Sequence, residues 1–290
     1  MGLGLDDLRS VDPALLWSPD PVLLAGSCVL LLLGYFISAG LWGRIVMDLG
    51  GPAVPVREAV RLFMIANLGR YVPGKVWQIA GLAVLARRRG VPAATATGAA
   101  VLGQGIALVA ATAVGLGALL SGPEKLRSWG VAAAAAMALA VAIGSTPAVF
   151  RRLSALWFRL ARQEVPETLS SSHPVRWLAL FFANWVLYAF SFWVLSTSFG
   201  HRADLIPVGS AFAAAYVLGY LMIFAPAGLG VREGFLVAFL TPHLGLGPSG
   251  ALAVVARIWT TVVEVVPASA FWARHLATAE GSGAGEAPDE

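Results

Sequence analysis

The chain has 290 residues, of which 58% are apolar and 12% charged, and its mean hydropathy is +0.76. A water-soluble domain carries about 25% charged residues to cover its surface, so this composition excludes one and makes lipid the solvent. The net charge of +4 does not point to nucleic acid, because most of the basic residues sort by membrane side.

The apolar runs Val22–Ile37, Val131–Ile143 and Leu178–Leu195 contain no charge. They do not alternate as barrel strands would, and a helix needs about 20 such residues to cross the hydrocarbon. The expected fold is therefore all-α and polytopic. Five full spans are expected over 21–43, 93–120, 129–147, 177–199 and 249–272. Two further hydrophobic segments, 55–90 and 207–241, are broken near their centres.

Residues 1–20 form an acidic N-terminal segment (Asp6, Asp7, Asp12, Asp20) that is expected outside the cell membrane. After the first span comes the first broken segment, interrupted at Val72-Pro73-Gly74. Proline removes a backbone donor and clashes with the preceding turn, so this is either a kinked span or a re-entrant hairpin of two half-helices. Arg57 and Arg61 open the segment and Arg87, Arg88 and Arg89 close it. Basic loops prefer the cytoplasm, so both ends want the same side and the hairpin is favoured. The second broken segment is interrupted over Ala225–Gly230, with Pro226, Gly228 and Gly230 as the breaking residues.

This choice sets the topology of a single transmembrane domain, 21–276. Repeat one is 21–120, with its hairpin opening to the cytoplasm. Span 129–147 is a linker that inverts repeat two, 177–272, whose hairpin opens outward. The loop 148–176 is cytoplasmic and 277–290 is a disordered tail. The N-terminus lies outside and the C-terminus in the cytoplasm. Twelve of the twenty basic residues then fall on the cytoplasmic side, four outside and four at membrane depth. Inverted repeats with broken helices meeting near the midplane are a recurrent transporter plan.

Ionisable residues inside a membrane are expensive and usually functional. Those near the first break are Arg70 and Lys75, with Asn67 and Gln78 as polar lining and Gln104 on the next span. Near the second break are Arg232 and Glu233. Arg257 and Glu264 lie seven residues apart on one face of the last span. Four cations thus face two carboxylates, and pairing both carboxylates leaves two cations for an anion. Half-helix N-termini after each break add free N–H groups and positive dipole ends. Arg70, Lys75, Arg232 and Arg257 are the expected headgroup-binding residues, with Glu233 and Glu264 as charge partners or proton carriers. The plainer reading is snorkelling at helix ends and structural ion pairs. Trp17, Trp42, Trp129, Trp177 and Trp272 read as interfacial anchors.

Signatures of chemistry are missing from the sequence. Cys28 is the one cysteine, no cluster of His and Cys has metal spacing, and there is no phosphate-cradling loop. No metal, cofactor or catalytic residue is expected.

The strings Asn67-Leu-Gly-Arg-Tyr-Val-Pro-Gly-Lys-Val-Trp-Gln78 and Pro226-Ala-Gly-Leu-Gly-Val-Arg-Glu-Gly234, with Arg257 and Glu264 downstream, resemble the lysylphosphatidylglycerol synthase transmembrane-region family. That is the flippase half of the multiple peptide resistance factor, found also as stand-alone proteins. The resemblance covers about 20 to 275. It implies a lipid-translocating membrane domain, and for some members a role with lipid-linked sugars. It carries over the Pro/Gly breaks, Arg232, Glu233 and Arg257. No aminoacyl-transferase domain follows, so synthesis of an aminoacylated lipid is not expected of this chain. Members usually begin with a further spanning helix, for which Leu5–Asp20 resembles the following linker.

The expected function is translocation of a phosphate-bearing lipid, a phosphatidylglycerol derivative or a polyprenyl-linked one, across the cytoplasmic membrane of a bacterium. A non-catalytic accessory protein that positions a lipid-linked substrate for a glycosyltransferase or other lipid-modifying enzyme is the main rival. A membrane enzyme acting on a lipid phosphate is a weaker one. Membrane lipids with anionic headgroups are the expected partners, and small-residue faces such as Gly98–Gly117 allow oligomers.

Overall fold

A computed structural model describes residues 18–72, 76–121, 124–160, 173–222 and 228–283. All regular structure among them is helical. The elements are α1 (Pro21–Asp48), α2 (Val56–Asn67) with a short 3-10 turn (Leu68–Tyr71), α3 (Trp77–Arg87), α4 (Ala93–Ser121), α5 (Glu124–Ser145), α6 (Pro147–Leu160), α7 (His173–Ser198), α8 (Leu205–Leu221), α9 (Val231–Leu244) and α10 (Leu246–Gly283).

Four helices are long and apolar enough to cross a membrane: Pro21–Asp48, Ala93–Leu120, His173–Ser198 and Leu246–Ala273. The fifth expected span, 129–147, lies in α5, where the apolar stretch recorded is Gly130–Leu139, and it is not among the four. Two other boundaries differ from expectation. The loop expected over 148–176 begins as a 14-residue helix, α6, because its apolar residues recur at helical spacing. The last helix continues to Gly283, into the expected tail, because Leu276, Ala277, Ala279 and Glu280 are good helix formers. Residues 1–17, most of the N-terminal segment, lie outside the described residues.

Helix α1 starts where it does because Asp20 caps it. The Asp20 carboxylate accepts from the N–H groups of Val22 and Leu23 at 2.9 and 3.1 Å, and Pro21 occupies the first helical position. Both features suit a helix start, where N–H groups lack intrahelical acceptors. The Asp20 N–H also donates to the Ser198 carbonyl at 2.8 Å, tying the start of α1 to the end of α7. At the opposite end Asp48 accepts from Arg176 at 2.5 Å and from the Trp177 indole at 2.9 Å. Trp177 and Trp42 are therefore buried, at 1% and 2% exposure, and do not form the interfacial belt the sequence implied. Their N–H groups are spent on protein acceptors, Trp42 on the Ala96 carbonyl at 3.3 Å.

Between these ends α1 and α7 meet closely. A Cβ added at Gly34 would collide with the Tyr188 ring. The Asn184 amide donates to the Gly34 carbonyl at 3.2 Å and to Ser38 Oγ at 2.9 Å, and Ser38 shares a 3.0 Å hydrogen bond with the Tyr188 hydroxyl. Lipid offers no hydrophobic drive between helices, so close small-residue packing and interhelical hydrogen bonds must hold them. The α4–α8 contact is built likewise, with a Cβ at Gly115 falling 2.8 Å from the Ala214 backbone N.

The two broken segments each fold back. In the first, α2 and α3 pack together. The Gln78 amide donates to Asn67 Oδ1 at 2.6 Å near the turn, and Arg89 pairs with Glu58 at 3.1 Å at the open end. Residues 58 and 89 therefore lie side by side, which makes the segment a helical hairpin and not a kinked helix. In the second, α8 and α9 pack together, and a Cβ on Gly219 would come within 2.8 Å of the Arg232 Cβ. The packing partners of α1–α4 and α7–α10 come in matched pairs: α1 with α2 and α7 with α8, α2 with α3 and α8 with α9, α3 with α4 and α9 with α10, α2 with α10 and α8 with α4, α1 with α4 and α7 with α10, α1 with α10 and α7 with α4. Helix α1 also packs on α7.

Overpacking a close helix crossing costs about 1–3 kcal/mol. Gly34→Val is therefore expected to lower the thermal unfolding midpoint of the detergent-purified protein. Gly26→Val, where an added Cβ meets nothing within 4 Å, is the matched control on the same helix and should leave the midpoint unchanged.

Candidate functional site

One cavity of about 170 Å³ opens among α1, the first hairpin, α4, α7, α8, α9 and α10. That is space for several water molecules or a small polar group. Its lining includes Asn67, Arg70, Gln78, Gln104, Gly228, Arg232, Arg257 and Glu264. Residues separated by nearly two hundred positions in the chain are thus brought together. Glu233 lies just outside the lining, while Pro73, Gly74, Lys75 and Pro226 fall outside the described residues.

Both carboxylates are paired, though not as the sequence spacing implied. Arg257 and Glu264 share a face of α10 but do not pair with each other. Glu264, with 3% of its side chain exposed, forms an ion pair with Arg70 from the turn of the first hairpin. Its second oxygen accepts from the Tyr71 hydroxyl at 2.7 Å. Arg257 instead reaches Glu233 on α9 at 3.8 Å, and its guanidinium lies 5.9 Å from the Tyr71 ring centre. Each acid therefore joins two elements that the helix backbone does not connect.

Helix α9 begins at a sharp break. Gly228 and Gly230 have φ of +69° and +78°, a region open to glycine and strained for other residues. The Gly230 N–H donates to Glu233 Oε2 at 2.7 Å. The free helix start expected here is accordingly partly satisfied by its own third residue, and Glu233 both caps the helix and pairs with Arg257.

Arg232 stands apart from these pairs. It makes no ion pair with a described residue, and its guanidinium lies 4.8 Å from the Phe212 ring centre and 5.8 Å from that of Tyr216. Both rings belong to α8. A cation over an aromatic face is stabilised by the ring quadrupole without being neutralised. Gly219 permits this placement, since any side chain there would strike the Arg232 Cβ.

The polar lining is held in pairs as well. Asn67 is buried and accepts from Gln78. Gln104 donates to the Tyr216 hydroxyl at 3.4 Å. Sequence reasoning missed the tyrosines. The chain has five, and all of them, Tyr35, Tyr71, Tyr188, Tyr216 and Tyr220, line this cavity. The signal was present, because each sits inside or beside an apolar segment and a buried tyrosine needs a partner for its hydroxyl.

The family model described as the lysylphosphatidylglycerol synthase TM region matches residues 6–268. The chain belongs to this family. The match covers α1 through most of α10, and so every residue of the lysylphosphatidylglycerol synthase TM-region cavity described above. No curated protein matches the chain significantly. Family membership places the cavity in a membrane protein with a lipid-related role.

Removing one partner of a buried ion pair costs about 3–5 kcal/mol because it strands the other charge. Glu264→Ala is expected to destabilise the protein on that scale in denaturant unfolding from detergent micelles. Adding Arg70→Met should recover a large part of the loss. Equal stability of Glu264→Ala and wild type would show that the pair contributes nothing.

Proposed function

We propose that this protein translocates a phosphate-bearing lipid across the cytoplasmic membrane, with the headgroup held in the cavity and the chains left in the bilayer. The observation that carries this reading is Arg232, a half-buried guanidinium held by two rings while both neighbouring carboxylates are occupied elsewhere. Counting Arg70, Arg232 and Arg257 against Glu233 and Glu264, the site has a surplus of one positive charge. A phosphate oxygen supplies the missing charge and fits the planar donor fork of arginine.

Alternating access follows from an inverted repeat. Exchanging α1–α4 with α7–α10 maps each of the matched helix contacts given above onto its counterpart and the α1–α7 contact onto itself, which supports two units of one plan. The matched charge at both ends of 55–90, closed by Arg89 and Glu58, supports a first hairpin that re-enters from one face. The sorting of basic residues supports the cytoplasm as that face, with the second hairpin opening outward and the C-terminus inside. Rocking one unit against the other then exposes the cavity to each leaflet in turn. When a phosphate engages Arg70, Glu264 is released from its partner and is free to take a proton or to pair anew. In this reading no covalent bond is made or broken, and an ion gradient or downhill movement drives transport.

Losing one charge-assisted, two-pronged contact costs about 1.5–3 kcal/mol. Arg232→Ala is expected to slow lipid movement about 10- to 100-fold without lowering expression, and Arg232→Lys should retain part of the activity. The test reconstitutes purified protein in liposomes and follows labelled phosphatidylglycerol and a labelled polyprenyl phosphate. Arg232-dependent movement names the substrate class, and unchanged movement in Arg232→Ala sinks the site. No movement of either lipid by folded wild type would transfer weight to a role in positioning a lipid-linked substrate for a partner enzyme.

A further inference from the structure

Helix α6 takes no part in the cavity, and its composition is unlike that of the spans. Its sequence, Pro-Ala-Val-Phe-Arg-Arg-Leu-Ser-Ala-Leu-Trp-Phe-Arg-Leu, interleaves three arginines with apolar residues. One side is fixed to the protein. The Trp157 indole donates to the Ala94 carbonyl at 3.3 Å, and a Cβ on Gly98 would come within 2.8 Å of that indole nitrogen. The glycine thus makes the seat for Trp157 on α4.

Another stripe of the helix faces outward. Arg152, Leu156 and Arg159 stand at intervals of four and three, so they share one face. Arg152 and Arg159 are exposed, and Leu156 is 53% exposed between them. Neither arginine has an ion pair among the described residues. At the end of α3, Arg87 and Arg88 are also exposed and without an ion pair among the described residues. The sequence supplies no carboxylate between Glu58 and Glu124 or between Glu124 and Glu164. Glu58 itself is taken by Arg61 and Arg89.

We propose that α6 lies on the membrane surface and that Arg152 and Arg159 bind an anionic lipid surface, with Leu156 entering the acyl boundary between them. A stripe made for water would carry no large apolar residue at its centre. A stripe made for the hydrocarbon would carry no arginines. Alternation of the two on one face is the pattern of an interfacial helix, in which long basic side chains reach headgroups while their neighbours enter the acyl region. Arg152 and Arg159 have no ion pair among the described residues, and an anionic leaflet attracts basic segments by a factor of roughly five per residue. The proposal does not depend on transport.

The test uses the full chain with Cys28→Ala and Leu156→Cys, spin-labelled at the new cysteine. The protein is reconstituted in phosphatidylcholine vesicles with and without phosphatidylserine. The label is expected to collide with oxygen in preference to a water-soluble nickel chelate, and its lipid-contacting fraction should rise when phosphatidylserine is present. R152Q/R159Q is expected to weaken that rise about 25-fold. These positions are exposed, so folding is checked simply by comparing elution and thermal midpoint with those of the parent. A label that meets the chelate equally in both vesicles overturns the proposal and points to a water-facing surface, as a soluble partner would need. A rise that persists undiminished in R152Q/R159Q overturns it equally.

Discussion

A carboxylate near the middle of a membrane helix has to be neutralised where it stands, because no water is at hand to solvate it. Glu264 is 2% exposed and meets that requirement with two groups, the Arg70 guanidinium and the Tyr71 hydroxyl. Both belong to the turn of the first hairpin. The cost of desolvating the acid is offset only while that turn stays against α10. That one charge therefore adds to the packing on α1, α4 and α10 that positions the first hairpin. Arg257 and Glu233 do the same between α10 and α9, over a longer distance and with a more exposed carboxylate. The two hairpins are accordingly held unequally, the first by an ion pair and a hydroxyl, the second by a looser pair.

Small residues make this arrangement reachable. Charges can meet in the interior only if the helices around them come close, and here the crossings are set by Gly34 against Tyr188 and Gly115 against Ala214. Once the backbones are that near, short polar side chains can span the gap, and Ser38, Asn184 and Tyr188 form a continuous set of hydrogen bonds between α1 and α7. The cavity is lined on the α7 and α8 side by the large residues Trp185, Phe212 and three of the tyrosines, Tyr188, Tyr216 and Tyr220. Tight contact at the glycines and open space beside the rings are two parts of one packing solution.

Much of this was legible in the sequence, for physical reasons that differ by level. The spans were readable because length and lack of charge are strong constraints in lipid. The first fold-back was readable because Arg57 and Arg61 at one end match Arg87, Arg88 and Arg89 at the other. The site was readable as a set, since Arg70, Arg232, Arg257 and Glu264 all break the rule against charge at depth. The pairing was not readable. Spacing along α10 puts Arg257 and Glu264 on one face, yet each is drawn to a residue on another element, which only the packing determines. Helix α6 was hidden by its arginines, which read as a basic loop until the interval between Arg152, Leu156 and Arg159 is considered. The extent of α5 and α10 was hidden because alanine-rich sequence continues a helix without marking its end.

The surroundings of Arg232 are what favour the proposed binding role over a purely structural one. An arginine needed only for stability would be served best by a carboxylate, as Arg70 is by Glu264. Placing it against Phe212 and Tyr216 recovers some of the cost of desolvation without an ion pair to any described residue. In the proposed function an arriving anion then has no ion pair among the described residues to displace at Arg232. Were Arg232 already paired, an anion would exchange one salt bridge for another and gain little. Gly219 belongs to the same logic, because its missing side chain lets α9 approach α8 until the guanidinium lies over the rings. The missing carboxylate among the described residues, the aromatic support and the glycine together suit the proposed site for a transient anionic headgroup.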